Sequence, residues 1–175
     1  MSNKKGLEGI VATESAISSI IDDKLTYVGY DIDDLAENSS FEEVIYLLWN
    51  QKLPTKDELD ALKKDLAENM EIPSEIVDHL KSYDLKTVHP MAAVRTAISM
   101  LGLYDDEADV MDEEANRRKA VRLQAKISTI VTAFARIRNG KDPVAPKKEN
   151  SYAENFLYML NGKDPEDIEV EAFNK

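Results

Sequence analysis

The chain has no cysteine and only two histidines among its 175 residues. Without thiols there is no disulfide stapling, no thiolate nucleophile and no cysteine-ligated metal. No H-x-x-x-H spacing exists, so a zinc site built on His79 and His89 lacks ligands. Cations are scarce as well: 22 Lys and Arg stand against 34 Asp and Glu, a formal charge of −12. Nucleic-acid affinity comes largely from cations that release condensed counterions, and anionic lipid surfaces select for the same side chains. Neither nucleic acid nor a membrane is an expected partner. The six glycines form neither G-x-x-x-x-G-K nor G-x-G-x-x-G, and G-x-S-x-G is missing too. Long apolar runs are also missing, since Val44 to Trp49 falls far short of the roughly 20 residues of a membrane-spanning helix. Glu8 interrupts any apolar core behind Lys4 and Lys5, so no export signal is expected and the cytoplasm is the expected location.

What is present is the composition of a soluble, folded, mainly α-helical chain, 43% hydrophobic and 32% charged. At this length one domain over residues 1–175 is expected, burying roughly 70% of the surface the unfolded chain exposes. Residues 7–32 are β-like in texture: Ile10 to Thr13, Ser15 to Ile21 and Leu25 to Val28 are rich in β-branched residues, with a tight turn at Asp22-Asp23-Lys24. Helical spacing is expected over residues 40–175. Ser40 with Glu43 and Thr55 with Glu58 have capping-box spacing, which predicts helices from Phe41 to about Asn50 and from Lys56 through Leu66. Ser74 to Ser82 is a short amphipathic stretch. His89-Pro90 opens the next helix and Gly102 closes it, since Pro at the first position gives up an amide without an intrahelical partner.

In that helix Met91, Val94, Ile98 and Leu101 form an expected buried stripe, with Ala93 and Ala97 as a smooth second surface. Asp112 to Arg138 is the longest periodic stretch. Its first half is charged and its second half, with Ile127, Ile130, Val131, Phe134 and Ile137, is apolar, so one end is expected outside and the other inside. Helical patterns also run from Ser151 to Leu160 and from Pro165 onward. The last of these reaches Lys175 without a closing Gly or a polar tail, which suggests truncation.

Residues of chemical interest have bland readings available. His79 reads as a surface side chain and His89 as a ring that serves a helix start. Asp31-Ile32-Asp33-Asp34-Leu35-Ala36 with Glu42 imitates a calcium loop, yet Leu35 takes a ligand position and Ala36 stands where Gly is needed. A solvated acidic turn is expected instead, and Asp105 to Asp109 reads the same way. Arg117, Arg118, Lys119, Arg122 and Lys126 offer an anion cluster, but Glu113 and Glu114 precede Arg117 and Arg118 by one helical turn. That spacing favours a salt-bridged surface helix. No catalytic, cofactor-binding or metal-binding residue is therefore assigned in this chain.

The order of segments is more telling than any one of them. Lys5-Gly6-Leu7-Glu8-Gly9-Ile10-Val11-Ala12-Thr13-Glu14-Ser15, Leu25 to Tyr30, Ser40 to Trp49, His89-Pro90-Met91 through Arg95-Thr96-Ala97, and Asn155 to Leu160 follow one another. Together they resemble the amino-terminal part of bacterial citrate synthases of the shorter, Gram-positive type. The resemblance implies a mostly helical homodimeric enzyme that condenses acetyl-CoA with oxaloacetate to citrate and CoA. It implies no cofactor beyond these substrates. It also implies that the partner of this chain is a second copy or the rest of the enzyme. The family's histidine and aspartate motifs match neither His79 nor His89, so the chain alone is expected to be inactive, with apolar faces such as Ile127 to Ile137 uncovered. A methylcitrate synthase fragment and a stand-alone helical interaction module remain as alternatives.

Overall fold

The computed structural model describes residue 11 and residues 13–174. The chain divides into two compact units, Met1–Pro54 and Thr55–Lys175.

The first unit carries a three-stranded antiparallel sheet in the order β1 (Ser18–Ile21), β2 (Lys24–Tyr27), β3 (Tyr30–Asp31). Asp22 and Asp23 turn the first hairpin with φ of 50° and 63°, so Ile21 faces Lys24 across a two-residue loop. Two left-handed residues match the twist of the flanking strands. The β-like expectation for residues 7–10 and for Ala12 lies outside the described residues, while Val11 and Thr13 belong to no strand. Helical structure begins earlier than expected, at α1 (Ile32–Asn38). Asp31 is its N-cap, its carboxylate accepting the Asp33 N–H at 2.9 Å, so the acidic run is a helix start and not a turn. Helix α2 (Phe41–Asn50) has the reciprocal cap: the Ser40 N–H donates to the Glu43 carboxylate at 2.7 Å, and the Glu43 N–H donates to Ser40 Oγ at 3.3 Å.

The second unit is helical: α3 (Lys56–Glu68), α4 (Ser74–Lys81), α5 (Pro90–Leu101), α6 (Glu113–Arg138), α7 (Tyr152–Asn161) and α8 (Asp167–Phe173). Thr55 with Glu58 and Ser151 with Glu154 form two further capping boxes. Asn139 and Gly140 close α6, with Gly140 at φ 71°. The core joins α4, α5 and α6 through Ile76, Leu80, Val94, Ala97, Leu101, Ile130 and Phe134.

The stripe on α5 differs from expectation. Ala93, Val94, Ala97 and Leu101 are buried, Ile98 is half-buried and Met91 is 64% exposed. Small side chains let neighbouring helices approach closely, so the packed face is centred on the alanines. Met91 then lies about 140° round the helix from that centre, at about 100° per residue. The long helix does run from outside to inside. Its face from Ala125 to Phe134 is covered within the unit, contrary to the uncovered apolar stretch expected, and only Ile127, 36% exposed, stands open there.

Polar groups also reach this interior, each with a main-chain partner. Ser128 Oγ donates to the Ala125 carbonyl at 2.8 Å, and Thr129 Oγ1 donates to the Met70 carbonyl at 2.7 Å. His89 caps α5, with Nδ1 accepting the Met91 N–H at 3.2 Å. Replacing His89 by Ala removes that acceptor and is expected to cost about 1 kcal/mol, while His89→Ser restores a cap. Equal thermal midpoints for the Ala and Ser variants would contradict this.

Candidate functional site

Five basic residues of α6 were the main candidate cluster, and the structure brings them to the acidic run that precedes the helix. The chain after α5 makes a short tight turn at Gly102–Tyr104 and then a loop through Asp105 to Met111. Asp105 folds back on this loop, its Oδ1 accepting the Glu107 N–H at 2.9 Å. Arg122 grips the same carboxylate with two parallel bonds, Nε–H to Oδ2 at 3.0 Å and Nη2–H to Oδ1 at 2.8 Å. Its Nη1 lies 2.9 Å from Glu107. Arg118 holds Glu107 through Nε and Nη2, with Glu114 a distant second partner at 4.0 Å. Lys119 Nζ donates to the carbonyls of Ala108 and Val110. The two charge runs treated separately in the sequence are thus partners, and the loop outweighs the i−4 glutamate for Arg118.

The hydrogen bonds from Arg118, and then those from Arg122, lower the Glu107 carboxyl from its usual 4.5 to about 2. A lowered folded value means the contribution is fully present above about 4.5 and is lost as pH falls through about 2. Acidification over that window is expected to free the loop, and Glu107→Gln should free it at neutral pH. Hydrogen exchange at the Ala108 amide, which donates to the Asp105 carbonyl at 3.0 Å, reads this directly. Unchanged protection in the variant would refute the clamp.

Behind the loop lies a cleft of about 310 Å3 lined by Leu101, Tyr104, Arg122, Leu123 and Lys126 with the acidic loop itself. Burial, and then the Arg122 charge, pull the Lys126 ammonium below its usual range, and its Nζ donates to the Asn69 carbonyl at 3.0 Å. Since Arg122 spends its fork on Asp105, the row acts as a clamp on its own chain more than as an anion cradle.

The other candidates are scattered. His79 is not a plain surface residue: it is half-buried, its ring meets Tyr83 edge-on at 5.0 Å, and its Nε2 is enclosed without a hydrogen-bond partner among the described residues. It stands one turn after Ile76 on the packed side of α4, which explains the burial. His89 belongs to the α5 cap. Asp31 ends β3 and caps α1 while Glu42 sits on α2, with Leu35 between them 5% exposed in the core, so the calcium-like spacing encloses a helix. Among the described residues no helix is long and apolar enough to cross a membrane.

Comparison with known proteins decides the family. The family model described as "Citrate synthase, C-terminal domain" matches residues 6–175. The chain belongs to the citrate synthase family. It is 64% identical over 175 residues to "Citrate synthase 2" of Bacillus subtilis, covering all of this chain and 47% of that relative. A "2-methylcitrate synthase" of Mycobacterium tuberculosis is 41% identical over 174 residues, 98% of this chain and 44% of the relative. The crystal structure of citrate synthase from Pyrobaculum aerophilum superposes with a TM-score of 0.87 at 31% identity, over 96% of this chain and 44% of that one. The all-helical fold with its small sheet is therefore a citrate synthase fold, and the chain spans about half the length of the relatives it matches.

One polar centre of this family member escaped the sequence reading. Asn155 on α7 is fully buried, with Oδ1 accepting the Lys147 N–H and Nδ2 donating to the Lys147 carbonyl, both at 2.8 Å. Its only sequence signal is a lone amide in the apolar pattern Ala153 to Leu160.

Proposed function

We propose that this chain builds the amino-terminal, scaffold-forming part of a cytoplasmic, homodimeric citrate synthase that condenses acetyl-CoA with oxaloacetate to citrate and CoA. The 64% identity to a citrate synthase along the whole chain carries this reading. In the proposal the acid and base that enolise the acetyl group, and the cations that hold the oxaloacetate carboxylates, belong to the portion of the enzyme that this chain does not span. Two local observations agree. His89 Nδ1 is committed to a helix amide, and the His79 ring meets Tyr83 edge-on with its Nε2 enclosed, which supports assigning the proton transfers to the part this chain does not span. Arg118 and Arg122 are taken by carboxylates of the same chain.

Methylcitrate synthesis is the weaker reading, because the methylcitrate relative is 41% identical against 64% for the citrate one. The purified chain is expected to release no thiol from acetyl-CoA in the presence of oxaloacetate. Thiol release above a blank, surviving repeated purification, would place a catalytic group inside these 175 residues and overturn the assignment.

A further inference from the structure

The same tripeptide closes two helices of the second unit: Asn139-Gly140-Lys141 after α6 and Asn161-Gly162-Lys163 after α7. In both the glycine is left-handed, with φ of 71° and 75°, and both asparagines are exposed. An Asn-Gly link is chemically labile, because a glycine without Cβ lets its main-chain nitrogen reach the asparagine side-chain carbonyl. The fold treats the two links differently. Asn139 is tethered, its Nδ2 donating to the Ala135 carbonyl at 2.8 Å. The Asn161 side chain makes no hydrogen bond among the described residues. At Gly140 the place of a Cβ is open space, whereas at Gly162 that place lies 2.6 Å from Arg136 Nη1. The same Nη1 donates to the Leu160 carbonyl at 3.3 Å, and among the described residues no carboxylate pairs with Arg136. A cation thus lies against the second link, next to an asparagine whose side chain is free to turn.

We propose that Asn161 is a modification site of this protein, converting through a succinimide to aspartyl and isoaspartyl forms, while Asn139 in the same tripeptide is protected. The Gly162 N–H donates to the Tyr158 carbonyl at 2.7 Å and is released when the last turn of α7 opens. It gives its proton to water, and the nitrogen attacks Asn161 Cγ. The N–Cγ bond forms, the Cγ–Nδ2 bond breaks, and the side-chain nitrogen leaves as ammonia. Water then opens the ring at either carbonyl, so water is the only co-reactant. Carbonyls at a helix C-terminus oppose an anion on the attacking nitrogen. The Arg136 guanidinium offsets that field at Gly162 and is at hand for the carboxylate formed. Ring opening at the α-carbonyl routes the main chain through the former side chain and inserts a methylene between α7 and Gly162. The closing bond to Tyr158 depends on that length of chain, and α8, whose Phe173 stacks on Phe156 of α7 at 4.8 Å, follows directly after it.

The test ages the folded chain, and in parallel the guanidinium-unfolded chain, in mildly alkaline buffer. Cleavage at glutamate puts the two asparagines in different peptides, since Glu149 and Glu154 lie between them, and mass spectrometry then reads the amide and acid forms of each. Enzymatic methylation of the free α-carboxyl reports the isoaspartyl share. In the folded chain Asn161 is expected to convert at least about fivefold faster than Asn139, and in the unfolded chain the two rates should agree within about twofold. Hydrogen exchange at the Gly162 amide should quicken in step with the isoaspartyl form, while Asn161→Asp, which adds the charge without the methylene, should leave that amide protected. Equal rates in the folded chain, Asn139 converting first, or a folded chain that keeps both amides long after the unfolded one has lost them would overturn the proposal. Loss of Gly162 protection in Asn161→Asp would overturn the loosening, because charge alone would then account for it.

Discussion

Replacing Asn155 by Leu is expected to destabilise the helical unit by about 3 kcal/mol, because each buried polar partner left without a bond costs about 1–3 kcal/mol. Leucine fills a similar volume but cannot accept the Lys147 N–H or donate to the carbonyls of Lys147 and Asn150. The amide also touches Met70 Sδ at 3.3 Å, so the loss reaches the turn after α3. For a chain of this size, 1 kcal/mol moves the melting temperature by about 2–4 °C, giving a drop of about 9 °C. A midpoint shift below about 2 °C would mean that the three main-chain groups find water once the amide is gone. Because those groups belong to the connection after α6, the same substitution should also quicken exchange at the Lys147 amide.

The contrast between Asn155 and the helix caps shows what a sequence discloses. A cap is a local device: Ser40 with Glu43, and Thr55 with Glu58, lie within one turn of each other, so spacing alone announces them. Asn155 bonds to Lys147, Asn150 and Met70, and nothing in the sequence ties the last of these to it. The acid loop and the basic face of α6 were visible as two charge runs. Their pairing depends on the turn at Gly102–Tyr104 folding one back on the other, which periodicity does not encode. Helix α1 was missed for the opposite reason, since a D-x-D start is as good a turn signal as a cap signal until the following residues are seen to be helical. The ordered series of segments that resembles citrate synthase was legible throughout, and the family match and the 0.87 TM-score agree with it. Of the candidate site residues the sequence disclosed identity without commitment: both histidines and Arg118 and Arg122 are visible in it, and only the folded chain brings them to their partners.

Ile130→Ala and Ile127→Ala are expected to part company by several kcal/mol, although the two isoleucines read as members of one apolar stripe. Ile130 is fully buried among the side chains that join α4, α5 and α6, next to Ala133 and Phe134 on its own helix. Truncating it loses the transfer free energy of the removed methylenes and leaves a cavity that packed helices refill only in part, for a cost of about 2–5 kcal/mol. Ile127 lies one turn earlier, 36% exposed, and with Leu123, 46% exposed, makes an open apolar pair four residues apart. Its truncation should cost about 1 kcal/mol in the monomer, since about a third of its surface stays in water on folding and no enclosed cavity is left behind. Chemical denaturation of both variants separates the cases, because a stability change moves the midpoint at constant slope. If Ile127→Ala instead lowers the midpoint as much as Ile130→Ala, and does so only at high protein concentration, the open pair is covered by a second copy of the chain. Concentration dependence is the mark of stability borrowed from association, and it would locate the dimer contact of the proposed enzyme on the outer face of α6.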